Sequence, residues 1–514
     1  MKSNDLIDII GETADEHIRD AKSAKKKAMP RWAKWYSGIA ACLVVALGIN
    51  IFLNNMGSES GSGGDSDLSY MAYYGPVLPL TIQGDSSGIT AERSINFDFA
   101  TYDGYQRGYG ESKITDFYEL KNETDENRTI TLLYPFAGTM QQWEDYPTIT
   151  VDGTEVSMEM YPGPYSGGFE GVWGAKNQEN GSVNIKSLDS FEGYQDLLSS
   201  DDYLNSAFDT FPELNQTAYV YRLHDFVYSE TTENVNPTLS MDFYIDYEKT
   251  TVFSYGMNGA SWDHESGYCS RRKGGIEYRP NASPEVRHPD DGYVILLGED
   301  LESYTLQGYR DGGCEEGEEL NDVSCTITRY ETTLGEIMYD LLEVSRGDTL
   351  RQMESQLSGK VDVDGMPATD LYMGLAAELL YSYSPIGDAP KERYSTGMLE
   401  DIFSAVYTNR RVIYLSFDVT IPAGESVKVE VLQTKDASMD YVGKDKGKDG
   451  YDMATQLGSN LVFTGQTASI SNYDAIEIVS QNFGFDLTDG ITSVHLDLNE
   501  PHYYLEVREI DQPE

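Results

Sequence analysis

The stretch RVIYLSFDVTI at residues 411–421, followed by PAGE and then SVKVEVL at 426–432, shows the pattern that decides the fold. Every second residue from Ile413 to Ile421 is apolar, and most of the residues between them are polar. Alternation of this kind buries one face of a β-strand. The turn residues 422–425 then reverse the chain, so the sequence predicts that a second strand comes back beside the first.

The same alternation recurs earlier in the chain. Residues 239–247 (LSMDFYIDY) alternate and are followed after a short turn by the strand-like residues 251–255. Residues 113–121 and 128–136 flank the polar loop NETDEN. Both patterns are typical of β-hairpins. The 38 Tyr and 17 Phe favour strands and exclude a disordered chain.

Helical patterns interrupt the strands. Residues 191–207 predict one helix, and Thr333-Leu-Gly-Glu336 is a capping box that opens another with Ile337, Leu341 and Val344 on one face. Further helices are predicted at 348–357, 368–382 and 396–408. The fold class is therefore a β-rich α+β protein with β-sandwich-like modules and a helical insert.

The run YSGIAACLVVALGINIFL at residues 36–53 carries no charge and follows a segment rich in Lys and Arg. At 1.5 Å per residue it spans roughly 27 Å, enough for one bilayer crossing. We expect a single transmembrane helix over 36–54 that contacts the lipid bilayer, with the N-terminus cytoplasmic and the remainder extracytoplasmic. A cleaved signal peptide is the alternative, but the run begins late and the sequence after it is a poor cleavage site.

The predicted organisation has seven parts. They are a basic cytoplasmic leader with a short helix (1–35), the transmembrane helix (36–54), a Gly/Ser linker (55–68), a β-sandwich-like domain (69–260), a loop-rich β region (261–333), a helical region (334–410) and a C-terminal β region (411–514).

The formal net charge of −49 constrains the partners. A chain this acidic repels phosphate backbones, so we expect no nucleic acid partner. A soluble acidic surface is the simplest interpretation of the charge. The four cysteines are too few for a disulfide scaffold; Cys42 lies in the apolar run, and Cys314 and Cys325 form a possible disulfide that leaves Cys269 free.

Metal sites are weakly indicated. Asp362 and Asp364 begin a calcium-like loop, but Met366 and Met373 occupy positions that need oxygen ligands, which favours a plain turn. A second oxygen-rich loop contains the acidic residues Asp445, Asp449 and Asp452, whose interleaved lysines oppose cation binding. His264 and the three cysteines outside the apolar run match no zinc spacing. We expect no cofactor.

Two further groups of residues are candidates for binding sites. Arg271, Arg272 and Lys273 form a basic cluster that we interpret as a solvated loop rather than a site for an anion. A set of aromatic residues could stack on sugar rings, although packing in cores and turns is the favoured interpretation: Tyr73, Tyr74, Trp143, Tyr161, Tyr165, Trp173 and Trp262. The sequence has no serine-hydrolase elbow, zincin motif or phosphate loop, so we expect no enzyme.

The first 55 residues resemble the leader of a family of single-pass proteins from clostridial-type bacteria. The shared features are LIDIIGE at residues 6–12, Asp15-Glu16, the run Lys25–Lys27, Trp32 with Trp35, and IAACL at 39–43. Similar leaders occur on anti-sigma-factor-like envelope regulators. The cytoplasmic part lacks the His-x-x-x-Cys-x-x-Cys pattern of zinc-type anti-sigma factors.

Three functions follow from these features. The first is an anchored binding or regulatory protein that recognises an unknown envelope ligand and signals to a cytoplasmic protein through a helix at residues 4–21. The second is a cell-surface binding or structural module with no signalling role. The third is a wall-directed hydrolase, for which the sequence supplies no catalytic residue.

Overall fold

The computed structural model describes residues 73–102, 111–140, 146–164, 191–199, 202–208, 213–228, 236–274, 291–356, 369–384, 386, 394, 396–439 and 446–510. All of them belong to the compact unit Asp65–Glu514. The β-rich character expected from the sequence is confirmed.

Strands dominate the described ranges. They are β1 (Thr81–Ile82), β2 (Ile89–Asp98), β3 (Ser112–Asn122), β4 (Arg128–Gly138), β5 (Thr148–Val151), β6 (Thr154–Glu155), β7 (Glu159–Pro162), β8 (Thr217–Val227), β9 (Thr238–Tyr244), β10 (Thr251–Tyr255), β11 (Gly259–Asp263), β12 (Tyr268–Gly274), β13 (Gly292–Leu297), β14 (Tyr304–Tyr309), β15 (Glu319–Leu320), β16 (Ser324–Thr333), β17 (Arg411–Ile421), β18 (Ser426–Lys435), β19 (Ser438–Met439), β20 (Asp449–Ala454), β21 (Val462–Ser471), β22 (Ile476–Gln481), β23 (Ser493–His495) and β24 (His502–Glu509). The helices are α1 (Phe191–Leu198), α2 (Asp202–Ser206), α3 (Leu334–Gln356), α4 (Thr369–Tyr383) and α5 (Leu399–Thr408).

These strands form five sheets. Sheet I has the order β1-β4-β17-β7, and sheet II has the order β23-β21-β2-β3-β18-β5-β6. Sheet III is β19-β20-β24-β22, sheet IV is β10-β13-β8-β16, and sheet V is β11-β12-β9-β14-β15. Most pairs are antiparallel, but β2 and β21 run parallel.

The strand pairs predicted as hairpins are present as strands, but the pairing expected between them is wrong. β17 lies in sheet I and β18 in sheet II; β3 lies in sheet II and β4 in sheet I; β9 lies in sheet V and β10 in sheet IV. In each case the chain crosses from one sheet to the facing sheet. Alternation requires only that one face of each strand be buried, and two facing sheets satisfy this as well as one sheet does.

Two of these crossings lie against each other and share one buried side chain. Asn122, at the end of β3, is fully buried. Its Nδ2 donates to the carbonyl oxygens of Glu126, Ile421 and Pro422 at 2.8–3.2 Å. Its Oδ1 accepts from the backbone N–H of Thr124 at 3.0 Å. Asn122 therefore satisfies backbone groups of both crossings at once.

Sheet II contributes one buried face to two cores. At one end of β2, Ile89 and Ala91 pack with residues of sheet I such as Leu132. At the other end, Ile95 and Phe97 pack with residues of sheet III. The result is a sandwich in which one long sheet faces two shorter ones.

A buried ion pair lies between those two cores. Arg93 Nε and Nη2 donate to Asp116 Oδ1 and Oδ2, each at 2.8 Å, and Arg93 Nη1 donates to the Ala454 carbonyl oxygen at 2.8 Å. Tyr118 Oη donates to Asp116 Oδ2 at 2.7 Å. The charges of Arg93 and Asp116 therefore compensate each other between the two cores.

Sheets IV and V form a second sandwich with its own core, which includes Leu223, Met241 and Phe243. Helices α3–α5 cover the other face of sheet IV. The apolar side chains of these helices and of that face belong to the same core as those of sheets I and II. The predicted capping box is confirmed at the start of α3. Thr333 N–H donates to Glu336 Oε2, and Glu336 N–H donates to Thr333 Oγ1, each at 3.2 Å.

The sandwich of sheets I, II and III combines ranges that the sequence analysis assigned to separate parts. β4, from the range 69–260, pairs along its whole length with β17, from the range 411–514. β2 likewise pairs with β21, in parallel, from Thr90 to Asp98. The first and last β regions therefore share sheets, and the segment that forms sheets IV and V and the helices lies between them in the sequence.

The predicted fold class needs one correction. In the part of the chain that the structure describes, no helix has both the length and the apolar character needed to cross a bilayer. The described structure thus does not contain the single N-terminal transmembrane helix. Residues 36–54, to which that helix was assigned, lie outside the described residues, as do the leader and its helix at residues 4–21.

Candidate functional site

The structure does not join the cysteines proposed as a disulfide. Cys314 and Cys325 are free thiols. Cys314 lies in the turn after β14 of sheet V, whereas Cys325 lies in β16 of sheet IV, opposite a β-bulge of β8. Burial raises the pKa of both thiols, that of Cys325 to about 11. Neither thiol is activated as a nucleophile.

Two of the acidic residues considered for calcium, Asp449 and Asp452, belong to a strand rather than to a loop. Asp449 and Asp452 lie in β20, where strand geometry directs their side chains to opposite faces. Asp449 accepts a hydrogen bond from Tyr102 Oη at 2.5 Å, and Asp452 contacts His502 Nε2 at 2.6 Å. The other acidic residues of the two loops, Asp362, Asp364 and Asp445, lie outside the described residues. Among the described residues no group of His, Cys, Asp and Glu is arranged to hold a metal ion.

The basic cluster is not a solvated loop, so that expectation is wrong. It lies in β12, and each of its side chains donates to a main-chain carbonyl oxygen. The acceptors belong to Thr396 for Arg271, Gly312 for Arg272 and Gly256 for Lys273, at 3.3, 3.1 and 2.6 Å. These cations tie neighbouring segments to sheet V.

The aromatic residues considered for sugar stacking are distributed over the molecule. Tyr73 is part of a core, Tyr161 packs on Phe208 with ring centroids 4.5 Å apart, and Trp262 is exposed. Trp143, Tyr165 and Trp173 lie outside the described residues. Tyr74 is the one of these described aromatic residues that lines a cleft with charged neighbours.

That cleft lies where β4, β17 and β18 come together at one end of the first sandwich. It encloses about 610 Å³, part of it open to solvent. Its lining combines three aromatic rings, two cations, two carboxylates and several polar or small groups, which are Tyr74, Glu111, Phe136, Ala137, Gly138, Tyr146, Pro147, Arg410, Gln433, Thr434, Lys435 and Asp436. We call it the Lys435 cleft.

Lys435 is the last residue of β18 and is only 8% exposed. Its Nζ donates to the Tyr74 carbonyl oxygen at 2.5 Å, and it forms no ion pair with a described residue. Burial and, secondly, the positive charge of Arg410 lower the pKa of Lys435 to about 8, against the opposing effect of Asp436 and Asp452. An ammonium group has three donors, so the described residues satisfy this buried cation only in part.

Arg410, immediately before β17, is the second cation. Its guanidinium carbon lies 3.5 Å from the centroid of the Tyr74 ring, and its Nη1 donates to the Tyr73 carbonyl oxygen at 2.8 Å. No carboxylate of a described residue forms a salt bridge with it. A guanidinium stacked on an aromatic ring keeps its edge available for a planar anion.

The backbone holds Tyr74 over the cleft. Its N–H donates to Ser438 Oγ at 3.0 Å. The next residue, Gly75, has a φ of +72°, and a Cβ there would lie 2.5 Å from Tyr194 Oη and 3.0 Å from the Cβ of Ala137. Only glycine fits this position, so the segment before β1 approaches β4 closely.

The floor of the cleft connects to the buried ion pair of sheet II. Gln433 Nε2 donates to Tyr134 Oη at 2.7 Å, and Tyr134 Oη lies 3.5 Å from Asp116 Oδ2. Because the amide of Gln433 is used for this contact, its Oε1 is the end that can accept a hydrogen bond in the cleft.

No protein-family model matches the chain, and no curated protein matches it. The site therefore has to be interpreted from its own chemistry.

Lys435 and Arg410 were not predicted as site residues, although the sequence contains one indication for Lys435. The buried face of β18 is predicted by Val427, Val429 and Val431. Continuing at every second residue, the same face includes Gln433 and Lys435. A lysine on the buried side of an alternating strand is unusual, because few lysines are buried without a partner. Arg410 and Tyr74 carry no such signal, since only the tertiary fold brings them to β18.

Proposed function

We propose that this protein is a binding protein and that the Lys435 cleft binds the anionic group of a small ligand, such as a carboxylate. The observation that carries the proposal is the pair of cations Lys435 and Arg410. Neither pairs with a carboxylate among the described residues, although the chain as a whole has a net charge of −49. In so acidic a protein, most cations readily find an acidic neighbour.

The energetics support a ligand at this place. Burial of Lys435 and the nearby positive charge of Arg410 disfavour its ammonium form more than Asp436 and Asp452 favour it, which the lowered pKa reflects. A bound carboxylate would supply the missing charge and accept the spare N–H donors of Lys435, while Arg410 would contact it through its planar edge. Phe136 and Tyr146, whose rings are 5.0 Å apart, offer an apolar wall for the rest of the ligand.

Isothermal titration with acetate at pH 7 tests the proposal on the full chain. We expect Lys435→Met to weaken binding by at least about tenfold, because truncation of a buried charged hydrogen bond typically costs more than 1.4 kcal/mol. Lys428→Met is the matched control, since Lys428 is an exposed lysine of the same strand. Equal acetate affinity in the wild type and Lys435→Met would overturn the assignment of the site.

The pH dependence gives a second measurement. The Lys435 ammonium loses its proton as the pH rises through about 8, so affinity for acetate should fall by about tenfold per pH unit above that value. Arg410 keeps its charge in this range and preserves a residual affinity. Phosphate titrated in parallel distinguishes a cleft that prefers a planar carboxylate from one that accepts any anion.

A regulatory role belongs to the same proposal. Ligand binding would alter how the protein engages a second protein at residues 4–21, as expected from the anti-sigma-factor-like resemblance. Replacement of residues 1–30 by an unrelated basic sequence tests this role. If the replaced chain recovers the same proteins in a pull-down as the full chain, with and without acetate, the protein is a binding module without signalling.

A further inference from the structure

His224 of β8 lies between a carboxylate and a hydroxyl group. Its Nδ1 is 2.7 Å from Asp225 Oδ2, and its Nε2 is 2.8 Å from Thr328 Oγ1 on the neighbouring strand β16. In the neutral tautomer that carries its proton on Nδ1, Nδ1–H donates to Asp225. Nε2 is then the acceptor, and the hydroxyl of Thr328 donates to it. This is the arrangement of a nucleophile, a base and an orienting carboxylate.

The backbone of β8 is distorted at the Asp225 end of this array. Asp225 has a φ of +52°, in the left-handed region that favours glycine. The same strand is bulged at this point, because Asp225 and Phe226 together lie opposite the single residue Cys325 of β16. Local strain and bulges recur where a strand re-aims side chains at a functional site. Here both features occur at Asp225, whose carboxylate contacts the imidazole ring of His224.

Thr328 also lines a groove of about 630 Å³ between sheet IV and α3. The far wall is the face of α3 that carries Ile337, Leu341 and Val344, which the sequence predicted to lie together. Arg222 lies directly opposite Thr328 in the strand register and is held by Asp291 through Nε at 2.6 Å. The groove therefore combines apolar side chains of α3, the Asp340 carboxyl group and two tyrosine rings with the Thr328 hydroxyl group and the Arg222 guanidinium.

We propose that this groove is an ester-hydrolysing site, in which Thr328 is the nucleophile, His224 the general base and Asp225 a positioning residue. Thr328 Oγ1 forms a bond to the acyl carbon of the ester while its proton passes to His224 Nε2. The bond between the acyl carbon and the alcohol oxygen breaks, and the alcohol leaves with that proton. Water then adds to the acyl-threonine and gives a proton to Nε2. Thr328 Oγ1 leaves and recovers the proton, and the carboxylic acid is released.

The groove defines the substrate class as esters with an apolar acyl group. The side chains of Leu341 and Val344 would contact the acyl chain, and the guanidinium of Arg222 would face the oxygen that becomes negative when Thr328 attacks. Because Thr328 is exposed, water for the second step has direct access. This site is separate from the Lys435 cleft and does not depend on the function proposed there.

Hydrolysis of p-nitrophenyl acetate, butyrate and octanoate by the full chain tests the proposal. We expect turnover above the buffer rate, with a preference for butyrate or octanoate, and a loss of about 100-fold or more in Thr328→Val and His224→Gln. Valine has the shape of threonine and favours strands, so Thr328→Val should fold normally. Thr305→Val, at an exposed strand threonine in sheet V, is the control and should keep the wild-type rate.

Two further measurements separate catalysis from structure. Asp225→Asn should lower kcat with little change in KM, and Asp225→Glu should restore part of kcat, because Asp225 acts through His224. A fluorophosphonate probe should label Thr328 in the wild type, as located by mass spectrometry, and should not label Thr328→Val. Absence of wild-type turnover above buffer, or equal rates in Thr328→Val and Thr305→Val, overturns the proposal.

Discussion

Arg93 and Lys435 are two cations buried on the same face of sheet II, and their surroundings are opposite in kind. Arg93 forms a two-pronged contact with Asp116 and a third bond to a carbonyl oxygen. Lys435 has one bond to a carbonyl oxygen and no carboxylate partner among the described residues. The first arrangement completes the fold within the protein. The second leaves donors that a bound anion would satisfy.

The difference teaches how a buried charge that belongs to the fold can be told apart from one that is a candidate for ligand binding. A buried charge with its partners in place is costly to disturb. A buried charge with no carboxylate bonded to it lowers the stability of the free protein, so its removal should stabilise the fold. Stability measurements on the two residues should therefore give changes of opposite sign.

The largest effect is expected from the structural pair. Asp116→Ala leaves Arg93 buried and unpaired, which should lower the free energy of unfolding by about 3–5 kcal/mol. Urea denaturation measures this change. Asp474→Ala, at an exposed aspartate in a turn, is the control and should stay within about 0.5 kcal/mol of the wild type. A cost below about 1 kcal/mol for Asp116→Ala would show that Arg93 is satisfied without its partner.

A gain in stability is expected at the Lys435 cleft. Lys435→Met removes the cost of a buried ammonium but also the bond to the Tyr74 carbonyl oxygen, so at pH 7 the free energy of unfolding should rise by about 1–3 kcal/mol. The pKa of Lys435 is about 8 in the folded protein and about 10.4 in the unfolded chain. Between these values the unfolded chain holds the extra proton, so wild-type stability rises with pH.

Urea denaturation at pH 7 and pH 10 therefore distinguishes this mechanism from better packing by methionine. The advantage of Lys435→Met should shrink at pH 10, where the folded wild type has already lost the proton. An advantage of equal size at both pH values would contradict the assignment of the cost to the buried charge.

The smallest effect concerns a buried acid, Glu400, which extends the comparison to the opposite charge. One oxygen of its carboxylate accepts the N–H of Gly256, and the other, Oε2, has no partner among the described residues. Burial raises the pKa of Glu400 to about 7. The folded state therefore keeps a proton that the unfolded chain releases near pH 4.3, and wild-type stability falls as the pH rises between these two values.

Glu400→Gln removes this titration. At pH 8 the variant should be more stable than the wild type by about 1–2 kcal/mol, and near pH 4 the two should be equal. Thermal unfolding at both pH values measures the difference. A variant that is less stable than the wild type at pH 8 would show that the Glu400 carboxylate has a counter-charge.

The strands could be located from sequence because each carries its own period of two. β17 was predicted with its observed bounds from the alternation between Ile413 and Ile421. Their partners could not be predicted in the same way. Loops of four to six residues, such as 422–425, are compatible both with hairpins and with crossings to a facing sheet, and the alternation is the same in the two cases.

The two candidate sites were harder to predict because their members are distant in sequence. Tyr74 and Lys435 meet only through the packing of the first sandwich, and His224 meets Thr328 only through the pairing of β8 with β16. Their residue types are common ones in a chain of 514 residues. Only the position of Lys435 on the buried face of β18 could be predicted from the sequence.

The pairing of β4 with β17 also sets an order for events during synthesis. At 5–20 residues per second, a ribosome needs roughly 15 to 55 s to make the approximately 270 residues between these strands. The strands of sheets IV and V are complete within that interval. β3 and β4 meanwhile lack β18 and β17, so the first sandwich cannot be completed until residues 411–435 have been synthesised.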